Sequence, residues 1–283
     1  MEWIERLNAA VNYLEERLSE ELEYEQIARV ACCSTYHFQR MFAYMAGVPL
    51  SEYIRRRRMS LAAVDLQSGK GKIVDVALKY GYASPTAFNR AFQSIHGIAP
   101  SAAKKNGAGF KSYPPIRFQI IIKGVEEMNY RIEEKAPIRI VGVSQPLYKE
   151  VEKNFAIVPQ MWQKAAMDGT VAKLSGMVHE QPLGILGVSA CFGEDWRYFI
   201  CVASSKPAEE PMQEYTIPAF TWAIFPGEGA CPQAIQDLER RIVTEWLPTS
   251  GYEYDNGPDI EVYLNADTQN AQFEVWIPVA KKR

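Results

Sequence analysis

Ser34-Thr35-Tyr36-His37-Phe38-Gln39-Arg40-Met41-Phe42 is followed, fifty residues along the chain, by Ser84-Pro85-Thr86-Ala87-Phe88-Asn89-Arg90-Ala91-Phe92. The two stretches agree at the serine, both phenylalanines and the arginine, and Gly47 recurs as Gly97. Upstream, Ile27-Ala28 corresponds to Val76-Ala77, with one extra residue in the second copy's turn. Each copy reads as a short helix with a small buried residue, a turn, and a second helix that starts at serine. That is the layout of a helix-turn-helix, here present twice.

Each position in the repeat has a physical role. Ser34 and Ser84 can accept a bond from an orphan backbone N–H and so cap their helices. Phe38 with Phe42, and Phe88 with Phe92, are i,i+4 pairs on one face, which is expected to be buried. Gln39 and Arg40, like Asn89 and Arg90, are then expected off that face. Tyr36 precedes Arg40 by one turn, as Thr86 precedes Arg90, so each pair shares an exposed side. Arginine can donate two bonds to guanine in the major groove, and glutamine can bond adenine. Two such helices, separated by a long helix over 51–67, could read successive major grooves about 34 Å apart.

Working outward, Trp3, Leu7, Val11, Leu14 and Leu18 form one apolar stripe of a first helix. Helices are expected near 34–45, 51–67, 73–79 and 84–95, with breaks at Gly47, Gly69, Gly81 and Gly97. Residues 26–111 carry 13 basic side chains against Glu52, Asp65 and Asp75, a net of +10, whereas 112–283 carry 16 against 23, a net of −7. A basic segment beside an acidic one suits a nucleic-acid-binding module joined to a domain with a different ligand. Arg55-Arg56-Arg57-Arg58 point in different directions on a helix, so they cannot all face DNA. One or two can meet phosphates, and the others are expected to pair with acids such as Glu52 or Asp65.

Small residues, lysines and Tyr113-Pro114-Pro115 mark a linker, set at 107–127 between domains 1–106 and 128–283. Beyond it, β-rich runs at 129–133, 138–144, 185–191, 196–202, 214–217, 220–225, 259–265 and 273–279 are interrupted by helices near 156–168 and 232–246. The fold class is thus an all-α N-terminal domain with two helix-turn-helix units joined by a long helix, then an α+β C-terminal domain of two similar halves.

Ile27-Ala28, Ser34, Phe38, Arg40, Phe42, Gly47, Tyr53-Ile54-Arg55 and Arg58-Met59 resemble the DNA-binding domain of AraC-type transcription regulators. So do Val76-Ala77, Gly81-Tyr82, Phe88, Arg90-Ala91-Phe92, Gly97 and Pro100. The resemblance covers residues 3–103 and implies recognition helices at 34–44 and 84–94. Base reading would fall on Tyr36, Gln39 and Arg40, and on Thr86 and Arg90 with Ser84 nearby. The match departs from the family at Cys32-Cys33, at Pro85 and at Ala103-Lys104. Residues 128–279 are similar to GyrI-like effector-binding domains, through Tyr130-Arg131-Ile132-Glu133, Trp162, Trp246-Leu247-Pro248, Pro258 to Tyr263 and Glu274 to Val279. The two resemblances imply double-stranded promoter DNA, a small-molecule effector that is hydrophobic or cationic, and RNA polymerase as partners, with no cofactor.

Strand parity adds an independent expectation. Ile260, Val262 and Leu264 share one face, leaving Glu261 and Tyr263 on the other; Phe273, Val275, Ile277 and Val279 share a face, leaving Trp276 opposite. If the aliphatic faces pack on helices, Glu261, Tyr263 and Trp276 line one surface, with Trp222, Phe220, Trp196 and Tyr198 as further walls. A carboxylate among aromatic rings suits an organic cation. The family likeness gives the central role to Glu261. The alternatives are sequestration of a small molecule, or its hydrolysis. No Ser-His-Asp set is legible, so the chain reads as a binding protein and not an enzyme. Five cysteines without metal-ligand spacing, no signal peptide and no bilayer-length apolar run place it in the cytoplasm, away from membranes.

Overall fold

The computed structural model describes residues 3–69, 71–105, 109–119, 127–192 and 195–282. It divides into two compact units, 1–119 and 120–283, each with its own core.

The first unit is helical: α1 (Trp3–Glu15), α2 (Tyr24–Val30), α3 (Thr35–Ala46), α4 (Leu50–Gln67), α5 (Ile73–Lys79), α6 (Pro85–His96) and α7 (Pro100–Ala103). Serine begins and glycine ends both α3 and α6, as their chemistry dictates. Ser34 accepts from the His37 N–H at 3.3 Å and Ser84 from the Ala87 N–H at 3.4 Å. Gly47 and Gly97 close α3 and α6 in the left-handed region, with φ of 69° and 77°, where a Cβ would be costly.

Helix α4 supports two clusters. Its Tyr53 ring lies 5.2 Å from Phe42, which in turn lies 6.2 Å from Phe38. Farther along, Met59, Ala62, Ala63 and Leu66 pack with Val76, Ala77, Phe88, Phe92 and Ile95. The four arginines of α4 are internal braces. Arg57 donates to both Glu15 carboxylate oxygens on α1, at 2.9 and 2.7 Å. Arg58 donates to the Leu18 and Glu20 carbonyls, both at 2.8 Å. Arg55 and Arg56 share Glu52 at 2.7 and 2.6 Å, and Arg55 also reaches Ser94 on α6. Asp65 pairs instead with Lys79. Glu52 and Asp65 already enter the net of +10, so among these contacts only Arg57 with Glu15 draws further on the basic excess.

Residues 109–119, placed in the linker by the sequence reading, pack back along the helical unit. Phe110 meets His96 edge-on at 5.7 Å, and the Tyr113 N–H donates to Ser60 at 3.0 Å. The Ile116 N–H donates to the Tyr53 hydroxyl, and Phe118 is held by Asn8 through two bonds of 2.8 and 2.9 Å. Phe118 also meets the Phe42 ring at 5.7 Å. The strap thus touches both clusters of α4.

The second unit is an antiparallel sheet with helices: β1 (Arg131–Lys135), β2 (Ile138–Pro146), α8 (Val151–Met167), α9 (Thr170–Ser175), β3 (Ile185–Phe192), β4 (Asp195–Ala203), β5 (Gln213–Ile217) and β6 (Phe220–Gly229). There follow α10 (Gln233–Arg241), a π-helical turn (Ile242–Trp246), α11 (Leu247–Thr249), β7 (Tyr252–Tyr254), β8 (Asp259–Tyr263) and β9 (Ala271–Lys281). The strand order is β1-β6-β9-β8-β3-β4-β2-β5, with β7 also on β9. All eight expected strands form; α9 and the three-residue β7 were not foreseen.

Both faces of the sheet are buried. On one, Leu186, Val188, Phe199, Trp222, Ile224, Ile260, Val262 and Trp276 form a cluster. On the other, Val141, Tyr198, Ile200 and Val202 pack against Ala165 of α8 and Leu174 of α9.

Candidate functional site

The register of β8 and β9 decides what surrounds Glu261. Ile260 stands opposite Trp276, Glu261 opposite Val275 and Tyr263 opposite Phe273. Directly paired antiparallel residues point to the same side. Trp276 therefore lies with Ile260, on the face away from Glu261 and Tyr263. Trp222 follows it, because Ile224 pairs with Trp276 and Trp222 lies two residues before Ile224 on β6. The expectation that Trp222 and Trp276 line the Glu261 surface is thus corrected. The parity within each strand holds, but the shared register inverts β9. Trp222 is 0% exposed and Trp276 3%, and the Trp276 indole donates to Glu274 at 2.8 Å.

Helices cover the Glu261 face, also contrary to expectation. Glu261 sits on β8 opposite Gly187 of β3. A Cβ at Gly187 would stand 2.7 Å from Glu261 Oε2 and would also collide with the Tyr198 hydroxyl. The bare backbone lets Tyr198 of β4 reach across. Tyr198 and Tyr263 each donate to Glu261 Oε2 at 2.9 Å. Trp162 of α8 donates to the Tyr198 hydroxyl at 2.9 Å, and its ring meets Tyr263 edge-on at 4.8 Å.

This is a carboxylate solvated by phenols. Removing it from water is costly unless charged-acceptor bonds replace hydration, and two O–H donors supply them. Burial, then the charge of Glu261, push the Tyr263 hydroxyl well above its ordinary range, so it stays a donor. Burial and then Glu261 likewise raise the Cys231 thiol. Of the named residues, Glu261, Tyr263 and Tyr198 come together. Trp162, quoted only for its family likeness, joins them. The sequence signal for this arrangement was a glycine inside a strand, the mark of close approach.

On the helical unit, the second copy is open. Ser84 at the cap, and Thr86 and Arg90 on the first half of α6, are all exposed. On α3, Arg40 is half-buried and donates to the Tyr44 hydroxyl at 3.3 Å. Tyr36 is 9% exposed and Gln39 2%. The expected placement of Gln39 off the buried face does not hold: Tyr36, His37, Phe38 and Gln39 are consecutive buried residues. Burial there is wider than the Phe38–Phe42 stripe, and covered side chains cannot reach base edges in this conformation. Among the described residues, no helix is long and apolar enough to cross a membrane.

A helix-turn-helix domain family matches residues 27–106. Curated relatives share this part. The chain is 37% identical over 98 residues to the HTH-type transcriptional activator AarP of Providencia stuartii, covering 35% of this chain and 73% of that protein. It is 33% identical to the regulatory protein SoxS of Salmonella typhimurium, over 34% of this chain and 89% of the relative. A solved putative transcription regulation protein from Staphylococcus aureus is 22% identical, covers 54% of this chain and 99% of its own, and superposes with a TM-score of 0.47. SAV2435, solved bound to tetraphenylphosphonium, gives 21% identity over 54% of this chain and 94% of its own, also with a TM-score of 0.47. Together the helical and sheet domains define a class: transcription regulators in which an AraC-type DNA-binding domain is joined to a GyrI-like effector-binding domain. Within it, the chain belongs to the family described as "Integron-associated effector binding protein", which spans residues 131–279, more than half its length.

Proposed function

We propose that this regulator is a one-component switch, in which a small molecule held beside Glu261 alters how α3 and α6 engage promoter DNA. The observation that carries the reading is the partly buried Glu261 carboxylate, held by Tyr198 and Tyr263, with Trp162 against both tyrosines. Negative charge lined by aromatic rings favours a hydrophobic organic cation, because ion pairing and cation–π attraction add. On the DNA side, Thr86 and Arg90 are the proposed readers on α6, with Ser84 at its cap and Arg40 on α3. The matching serine caps and glycine ends support two helix-turn-helix units. The strand–helix–hairpin runs β2-α8-β3-β4 and β6-α10-β8-β9, on either side of the β8–β3 boundary, support two similar halves of the sheet domain. RNA polymerase is the proposed further partner.

Fluorescence anisotropy tests the DNA reading. The full chain is titrated into DNA from upstream of its own gene and into scrambled DNA, across a salt series. Preference for the native sequence with a steep salt slope supports the proposal; equal, weak binding to both opposes it. Quenching of tryptophan fluorescence by a lipophilic cation tests the effector reading. The proposal requires that Glu261→Gln weaken that binding at least tenfold while leaving the melting temperature in place.

A further inference from the structure

The turn between α2 and α3 contains a backbone anomaly. Cys32 has φ of +56°, and among the described residues it alone takes a positive φ without being glycine. The second copy makes the same turn with Gly81, at φ of +81°. The turn bonds also agree: the Cys33 N–H reaches the Ala28 carbonyl at 3.1 Å, and the Tyr82 N–H reaches the Ala77 carbonyl at 2.9 Å. A side chain in the left-handed region costs about 1–2 kcal/mol per residue. The first turn thus bears a thiol where the repeat itself shows that glycine suffices, and such an outlier points to a use for the side chain.

A second cysteine follows at once. Cys32 is exposed and Cys33 half-buried, with neither in a disulfide, and they are the only adjacent pair among the chain's five cysteines. Consecutive Cα atoms lie about 3.8 Å apart, so one short, hydrogen-bonded segment carries two thiols, the first exposed and the second half-buried.

We propose that the Cys32–Cys33 turn is a binding site for trivalent arsenicals, soft centres that prefer sulfur ligands. With an organoarsenic(III) oxide, each thiol forms one S–As bond. The two thiol protons leave with the arsenic-bound oxygen as one water. Arsenic and sulfur keep their oxidation states, so no oxidant is required. Burial, and then the neighbouring Cys32, push the Cys33 thiol up to about 12, which keeps the buried partner protonated. Ser34 follows directly, capping α3 through the His37 N–H and lying 2.7 Å from His37 Nδ1. A bridged turn therefore acts at the start of α3, as a chemical input separate from Glu261.

The test treats the reduced full chain with phenylarsine oxide, challenges it with excess glutathione, and reads intact mass. One adduct per chain should survive the monothiol and be released by dithiothreitol. It should be absent in Cys32→Gly and in Cys33→Ser. Cys32→Gly suits the left-handed turn, and an unchanged or raised melting temperature separates lost chelation from lost folding. No adduct, an adduct stripped by glutathione, or one that persists in Cys32→Gly would each overturn the site.

Discussion

The two copies of the repeat share a frame and differ in what they expose. Serine caps, left-handed glycine ends and paired phenylalanines recur with nearly the same geometry. Yet Tyr36, His37 and Gln39 are buried on α3, whereas on α6 their counterparts Thr86 and Ala87 are exposed and Asn89 is half-buried. Cys32 stands where the second copy has Gly81, and Ala46 where it has His96. The repeated residues specify backbone ends and cores. Access to a ligand is set by residues and neighbours outside the repeat.

Substitutions at equivalent positions can break or sharpen this comparison. The largest effect is expected in the cores: Phe38→Ala and Phe88→Ala should each cost about 3–5 kcal/mol in urea unfolding. A loss below about 1 kcal/mol at either site would end the equivalence of the two frames. Glu15→Ala should cost about 3 kcal/mol, because it strips the carboxylate from the buried Arg57 guanidinium. That brace comes from α1 and supports the first copy, so hydrogen exchange should rise most around α1 and α3.

In DNA titrations, Arg90→Ala should weaken binding by about 1–3 kcal/mol. Arg40→Ala should weaken it less, since Arg40 is half-buried against Tyr44; equal losses would contradict the asymmetry.

Acid should loosen the second copy first. Burial lowers the His96 pKa from its ordinary 6.5, so the folded state resists a proton that the unfolded chain accepts. Stability from this source is full above about 6.5 and falls as the pH drops from there toward the folded value. A chemical-shift titration of His96 alongside a thermal melt measures it, and His96→Gln should flatten the dependence. The smallest effect is at the turns. Cys32→Gly should stabilise by about 0.5 kcal/mol by relieving the left-handed strain. Gly81→Ala should destabilise, since φ of +81° disfavours any side chain and its Cβ would also meet Arg58 Nη1 at 2.9 Å.

Local chemistry was legible in the sequence. The bounds of α5 were read correctly at 73–79, and the serines and glycines marked the ends of α3 and α6. Alternation correctly separated Ile260 and Val262 from Glu261. What failed were quantities that depend on distant chain. Which face Trp276 shares with Glu261 depends on the pairing of β9 with β8, and no parity within one strand contains that register. Arg55 and Arg56 pair with Glu52 as expected, whereas the partners of Arg57 and Arg58, namely Glu15 and the Leu18 and Glu20 carbonyls, lie about forty residues away. Gln39 was misplaced for a similar reason, as helical periodicity places a residue on a cylinder and leaves open what else covers it.

The strap formed by 109–119 changes where the seam between modules falls. The helix-turn-helix family ends at 106, and a DNA-binding fragment cut there would lose Phe118 from Asn8 and Tyr113 from Ser60 and Arg57. The compact helical unit runs instead to 119. A chimera joined at 106 would inherit a destabilised reader, whereas one joined after 119 would carry its own clasp into any host.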